Sequence, residues 1–198
     1  MSNWLTNIEL IGDLVKMVPL EFRHKSDLMS AAADGELWNL WYTSVPSQDT
    51  VDDYLNGAID ENLKGRSHAF AVIDRKSNKI VGSTRYCNAI NNNRIEIGYT
   101  WYAKSAQRTG INTECKLLLL THAFEKMNCI AVEFRTNWHN HASRKAIARI
   151  GAKQDGVLRN HMIDADGVLR DTVVFSITRD EWEAVKKALI FKAHTSVK

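Results

Sequence analysis

The segment Gln107-Arg108-Thr109-Gly110-Ile111-Asn112-Thr113-Glu114 joins a strand-like run to a helix-like one. A glycine in such a connection lets successive backbone N–H groups converge. The N-terminus of the following helix adds partial positive charge, and together they make a cradle for a diphosphate. On its own, Q-x-x-G is weak and reads better as a structural turn. No Lys-Ser/Thr follows Gly110, which excludes a nucleotide P-loop. The absence of G-x-G-x-x-G disfavours a dinucleotide fold. Cys87, Cys115 and Cys129 are widely spaced and form no C-x-x-C, against both a disulfide framework and a zinc site. No histidine and acid partners can be assigned to Cys115 or Cys129 as nucleophiles, so the thiols read as small buried groups in a reducing cytosol.

The elements that must position this loop follow from periodicity. Residues 8–20 read as two short strands around Gly12-Asp13. Ser26-Asp27 opens a helix through Leu28, Ala31 and Ala32 that ends near Gly35, and an aromatic stretch with Trp38, Trp41 and Tyr42 follows. Ser47-Gln48-Asp49 caps a second helix with Val51, Tyr54, Leu55, Ala58, Ile59 and Leu63 on its apolar side. The middle switches to period two: Ala69–Ile73 and Lys79–Tyr86 flank a Lys76-Ser77-Asn78 hairpin turn. Asn91-Asn92-Asn93 makes the next turn, before a strand over Arg94–Tyr102. A helix opens at Thr113 with Leu117, Leu120, Phe124 and Met127 on one face. Cys129–Arg135 is a strand, Asn140–Ile150 a helix stopped by Gly151, and 157–164 with 168–177 a hairpin turning at Asp166-Gly167. A last helix runs from Arg179-Asp180-Glu181 through Trp182, Val185 and Leu189, fraying from about His194. Strands joined by short turns are antiparallel, and those joined by crossover helices are candidates for parallel pairing. The expectation is an α/β (α+β) fold with one mixed sheet and helices on both faces.

Composition sets the frame. The chain has 198 residues, 44% hydrophobic and 25% charged, near globular averages, which points to one domain over 1–198 with its core at about 8–185. Lys plus Arg is 26 against 23 Asp plus Glu, and a net charge of +3 argues for neither nucleic acid nor an acidic membrane surface. The Met1–Asn7 segment lacks the basic and apolar regions of a signal peptide. The longest apolar run, Leu117–Leu120, is far short of the ~20 residues of a membrane span. A cytoplasmic protein with no membrane partner is expected.

Several segments together resemble the GNAT superfamily of acyl-CoA-dependent N-acetyltransferases, closest to its ribosomal-protein-alanine acetyltransferase-like branch. They are Glu96-Ile97-Gly98-Tyr99, the loop Gln107–Asn112, and Asn140-His141-Ala142-Ser143 closed by Ile150-Gly151-Ala152. Thr109–Lys116 with His122-Ala123-Phe124, and Gly156-Val157-Leu158-Arg159 with Arg170-Asp171, fit the same branch. The resemblance spans about residues 8–185. It departs at Asn112, where the family pattern Q/R-x-x-G-x-G/A has a small residue. There the side chain would either crowd the diphosphate or cap the helix at Thr113–Cys115, and the cap is the preferred expectation.

The resemblance implies a mostly antiparallel sheet of six to seven strands, with a splay between the strand of Glu96 and the strand over 129–135. It implies acetyl-CoA as co-substrate, no metal, and an amine acceptor, in a monomer or homodimer. The diphosphate would lie on Gln107, Arg108, Thr109, Gly110, Ile111, Asn112 and Thr113. The strand end Trp101, Tyr102 and Ala103 would offer backbone groups to pantetheine, with Asn140 and Ser143 opposite. Acetyl transfer needs a neutral amine, a stabilised oxyanion and a protonated leaving thiolate. Glu96 is the implied base, through water, and Ser143 the implied acid, with Tyr99 and Tyr102 as alternatives. Trp38, Trp41 and Tyr42 would wall the acceptor, or else pack in the core. Asp49, Asp52, Asp53, Asp60 and Glu61 would steer a cationic amine, or else form a solvated helix face. The rival readings are a non-catalytic acyl-CoA-binding or regulatory module and an acyltransferase using another donor such as succinyl-CoA.

Overall fold

A computed structural model describes residues 5, 8–90, 93–164 and 166–195. The expected turn at Asn91-Asn92 therefore lies outside the described residues, as does most of Met1–Asn7. Eight strands form one sheet: β1 (Leu10–Ile11), β2 (Val15–Pro19), β3 (His68–Asp74), β4 (Lys79–Ile90), β5 (Arg94–Tyr102), β6 (Ala131–Asn137), β7 (Lys153–Ile163) and β8 (Leu169–Thr178). Their order is β1-β2-β3-β4-β5-β6-β8-β7. The count exceeds the expected six to seven because even the two-residue β1 pairs with β2, through a tight turn in which Gly12 N–H donates to Val15 C=O at 2.9 Å. The helices are α1 (Lys25–Ala33), α2 (Val51–Leu63), α3 (Ile111–Thr121), α4 (His141–Arg149) and α5 (Arg179–Thr195).

Short connections set strand direction. Hairpins make the β1–β2, β3–β4, β4–β5 and β7–β8 pairs antiparallel, the β2–β3 and β6–β8 pairs are antiparallel across longer connections, and β5–β6, joined by the crossover through α3, is parallel. The α4 crossover instead carries the chain past the place of β8 to the sheet edge, so β8 inserts between β6 and β7. Alternation then assigns the faces. On β4, Ser83 turns toward α2, where Tyr54 Oη donates to its Oγ at 3.1 Å. Tyr86 turns to the other face, where its Oη donates to Leu119 C=O of α3. Helices α1 and α2 therefore cover one face, and α3 with α5 and α4 the other. The core between these layers includes Leu28, Leu55, Phe70, Tyr86, Leu119, Ile177 and Leu189, all essentially fully buried.

Four helix details differ from expectation. α3 begins at Ile111, not Thr113, because Gly110 takes the N-cap place at φ 93°. Asn112 thus stands inside the first turn and cannot cap it. α2 is entered through Thr50, whose Oγ1 accepts Ser47 N–H at 2.9 Å. Leu63 is exposed, since it sits a third of a turn away from the Val51–Leu55–Ala58 stripe that packs on the sheet. The last helix stays regular through Thr195. The three cysteines are free and buried. No helix among the described residues is long and apolar enough to cross a membrane.

Candidate functional site

β5 and β6 pair only at Arg94↔Ala131, Ile95↔Val132 and Glu96↔Glu133. Beyond Glu96 the strands part: β5 keeps only β4 and β6 keeps only β8. The cleft so formed begins at the Glu96 carboxylate, and that residue is only 7% exposed. Asn88 Nδ2 donates to Glu96 Oε2 at 2.7 Å, and Arg135 Nε lies 3.5 Å from the same oxygen. Burial pushes the Glu96 pKa above the usual carboxylate value, while Asn88 and Arg135 pull it back and Glu133 adds to the rise. Glycine at 98 leaves room for this carboxylate: a Cβ there would stand 3.0 Å from Glu96 Oε1. Such a carboxyl, buried yet hydrogen-bonded at a cleft mouth, can accept a proton from a group brought to the cleft.

Just past Glu96, β5 bulges. Gly98 faces Arg85 and Trp101 faces Ser83, so Tyr99 and Thr100 share the single position opposite Thr84. Tyr99 sits at φ 51°, a left-handed conformation rare for a bulky residue. Its half-exposed ring lies over the Arg85 guanidinium, 3.9 Å from centroid to Cζ, and burial pushes its hydroxyl pKa up.

The strand end supplies fewer free groups than three consecutive residues suggest. Ala103 N–H donates to Val81 C=O at 2.8 Å and Ala103 C=O accepts from Ala106 at 3.0 Å. Alternation therefore turns Trp101 and Ala103 backbone groups toward β4 and those of Tyr102 toward the cleft. The Tyr102 carbonyl accepts from Gln107 Nε2 at 3.0 Å. The Tyr102 side chain goes the other way, buried on the α3 face beside Cys115 with its hydroxyl pKa pushed well up by that burial. It is thereby removed as an alternative acid. Trp101 turns its ring to α2, donating Nε1–H to Tyr54 Oη at 3.3 Å.

At the far end of the cleft, Arg108 at φ 64° and Gly110 at φ 93° coil the loop. Thr109 Oγ1 ties it down by donating to Ala106 C=O at 2.7 Å. The N–H groups from Arg108 to Thr113 meet no acceptor among the described residues, and the first one bonded is Glu114, to Gly110 C=O at 3.0 Å. A run of free N–H groups at a helix start is a seat for an anion. Glu114 fixes this start in place. Its carboxylate accepts from the N–H groups of Asp13, Leu14 and Val15, each at 2.8 Å, anchoring α3 to the β1–β2 turn.

Across the cleft, Asn140 caps α4, its Oδ1 accepting from Ser143 N–H at 2.9 Å. The cap uses only the oxygen, leaving Asn140 Nδ2 and the half-buried Ser143 hydroxyl without partners among the described residues. Trp41 is 61% exposed and meets Tyr42 at 5.4 Å and His139 at 5.6 Å between ring centroids, so these aromatics gather at the open end of β6. Trp38 instead packs against the core. Asp52, Asp60 and Glu61 pair with Lys25, Lys64 and Arg66 on a solvated helix face. Asn88, Arg135, Arg85 and His139 are additions that sequence reasoning missed. The first three are brought to the Glu96 region by strand pairing, and no local pattern marks them.

The profile of the family described as Acetyltransferase (GNAT) domain matches residues 15–153. The chain is 35% identical over 95 residues to the Bacillus subtilis (strain 168) protein named "Putative ribosomal N-acetyltransferase YdaF", a match covering 48% of this chain and 51% of that relative, so it spans about half the relative's length. Among solved structures, a GCN5-related N-acetyltransferase from Brucella melitensis is similar with a TM-score of 0.83 and 27% identity over 94% of this chain and 86% of that one. RimJ of Mycobacterium smegmatis, in complex with CoA-disulfide, shares the fold with a TM-score of 0.77 and 21% identity over 96% of each chain.

Proposed function

The chain belongs to the GNAT acetyltransferase family, and from that premise we propose that it moves an acetyl group from acetyl-CoA to a primary amine by direct transfer in a ternary complex. The acceptor is a protein N-terminal α-amine or a small-molecule amine. The observation that carries this reading is the parting of β5 from β6 immediately after a buried, hydrogen-bonded Glu96, with a run of free N–H groups at the far end.

The free N–H groups of Arg108–Thr113 suit the diphosphate of CoA. Tyr102 N–H and Asn140 Nδ2 suit the amides of its pantetheine arm. Glu96 takes a proton from the ammonium form of the acceptor through water. The amine lone pair then bonds the thioester carbonyl carbon, and the carbonyl electrons move to oxygen, held by a backbone N–H of the parted strands. Collapse breaks the C–S bond, the sulfur leaves with that electron pair, and the nitrogen gives its extra proton to solvent through the water at Glu96. The Ser143 hydroxyl gives it a proton and is reprotonated from solvent, with Tyr99 as the alternative donor. Trp41 and Tyr42, beside His139, wall the acceptor. An α-amine titrates near ~8 and a lysine near ~10.4, so a single buried carboxylate suits the α-amine better. The whole chain is taken as one catalytic domain, working as a monomer or homodimer.

The test is a screen of amines and peptides with release of free CoA thiol as the readout, comparing acetyl-CoA with succinyl-CoA. Turnover with acetyl-CoA and at least one α-amine is expected. Calorimetric acetyl-CoA binding without thiol release across the panel would make the protein a non-catalytic acyl-CoA-binding module.

A further inference from the structure

Arg85 is out of keeping with its surroundings. It is only 6% exposed, and its Nε is buried with no hydrogen-bond partner. No ion pair or hydrogen bond to its guanidinium occurs among the described residues, and what it touches is aromatic: the Tyr99 ring at 3.9 Å and the Tyr54 ring at 5.2 Å. Tyr54 is fixed, donating to Ser83 Oγ and accepting from Trp101 Nε1. Glu61 of α2 lies near enough to feel the Arg85 charge, but its carboxylate is already taken by Arg66. Buried cations are normally paired, because an unpaired one loses its hydration with nothing in exchange.

The position of Arg85 gives this a direction. Glu96 pairs with Cys87 and Gly98 with Arg85, so Arg85 is the diagonal neighbour of Glu96 on the same sheet face. Diagonal positions lie about 7–8 Å apart. An amine poised at Glu96 would thus have a guanidinium within a few bonds of its nitrogen. Glu96 itself is engaged with Asn88 and Arg135 on its other side.

We propose that Arg85 is a specificity residue that receives a carboxylate of the acceptor, and that the acceptor is an amine bearing a carboxylate a few bonds from its nitrogen. That chemistry has two sources, a free amino acid or a peptide whose first residue is acidic. The proposal rests on the amine-transfer reading of this cleft. The carboxylate accepts from the Arg85 guanidinium, Tyr54 forms the fixed floor, and the half-exposed Tyr99 ring is the wall that the acceptor displaces.

The experiment compares the wild type with Arg85→Met and Arg85→Lys. Acceptors are C-amidated tripeptides beginning with Asp or Glu, their Asn or Gln isosteres, and free amino acids against their α-carboxamides. We expect the wild type to favour the carboxylate in one of these sets by ~10-fold or more in kcat/KM, as a desolvated charge-assisted pair requires. Arg85→Met should bring that ratio near one, Arg85→Lys should keep part of it, and both should bind acetyl-CoA as the wild type does. Calorimetric titration of the CoA-bound protein with acetylated acidic products and their neutral isosteres reads the same preference without turnover. The melting temperature of Arg85→Met should hold or rise, since an unpaired buried charge is removed. Equal turnover and equal product binding for acid and amide in the wild type would overturn the proposal and leave the transfer reading standing. A lower melting temperature with unchanged selectivity would also overturn it, making Arg85 a packing cation between two rings. Absence of turnover with every amine would sink the transfer reading, and product titration would still decide on Arg85.

Discussion

Replacing Arg135 by Met should move the pH dependence of acetyl transfer by a calculable amount. The Arg135 Nε stands 3.5 Å from Glu96 Oε2. Two unit charges at ~4 Å interact by ~4 kcal/mol at an effective dielectric constant of about 20. Here the interaction is smaller, because Arg135 also serves Glu133 at 3.1 Å and its side chain is 33% exposed. About 1 kcal/mol between Arg135 and the Glu96 carboxylate is a fair remainder. The direction is upward: removing a cation disfavours the carboxylate, and burial already raises its pKa. A log plot of kcat/KM for an α-amine peptide should show two breaks, the lower from Glu96 and the upper, near ~8, from the amine. In Arg135→Met the lower break should move up, lowering kcat/KM several-fold below it and changing little above the upper one. The upper break should stay. Glu96→Gln should abolish the lower break and lower turnover by ~100-fold. Glu96→Gln should also gain melting temperature over the wild type as pH rises. The raised folded-state pKa means that the protonated carboxyl stabilises the fold, a contribution lost as pH climbs through that pKa. A lower break that ignores both substitutions would assign the titration to another group and remove Glu96 as the base.

The remaining predictions concern the seat of the co-substrate and its supports. Gly110→Asp sets a carboxylate and a disfavoured positive φ into the anion seat, and should weaken acetyl-CoA binding by ~2 kcal/mol or more by calorimetry, with the fold intact. Ser143→Ala should lower turnover roughly 10- to 100-fold with an unchanged melting temperature, because its hydroxyl has no partner among the described residues. Asn140→Ala should lose ~1 kcal/mol of stability in urea denaturation with the helix cap and should also weaken acetyl-CoA binding through the loss of Nδ2. Glu114→Ala leaves the Asp13, Leu14 and Val15 N–H groups without their acceptor and should cost ~3 kcal/mol or more in the same assay.

The element order was readable because local periodicity sets it. Alternation marks β3, β4 and β5, and one long crossover through α3 forces the parallel β5–β6 pair that opens the cleft. Gly110 was legible for the same reason: a loop must reverse into a helix there, and φ 93° asks for glycine. Asn112 was misread because Asn ranks high as a cap, yet Gly110 starts the helix two residues sooner and needs no side chain to do so. The long-range partners of the charged residues were illegible. Glu114 finds its acceptor role 99 to 101 residues away along the chain. Arg135 and Asn88 reach Glu96 only because β4, β5 and β6 lie side by side there. A lone charged residue in sequence reads as solvated, and only register reveals that it is not. Tyr102 shows the same limit within a strand: its backbone and its ring serve different faces, which residue type alone does not separate.

The costs in this fold are concentrated rather than spread. Within a few residues of the β5 bulge, pairing with β6 is given up and Tyr99 adopts a left-handed backbone. On one face lies Arg85 with no anion. On the other lies Lys116, 5% exposed, its Nζ donating to Thr100 Oγ1 at 2.8 Å and its pKa lowered to about 8 by burial. Neither cation has a carboxylate among the described residues, and each such burial opposes folding by several kcal/mol before any compensation. Structure that serves only stability would not gather these features around one strand position. The compensation is found at a distance, in the apolar layers on both faces and in the Glu114 anchor that holds the start of α3. In the transfer proposed for this cleft, the acceptor carboxylate would pair with Arg85, so that a charge left unpaired in the fold finds its partner only on binding. The local instability of the bulge and its fitness for this chemistry therefore have the same origin.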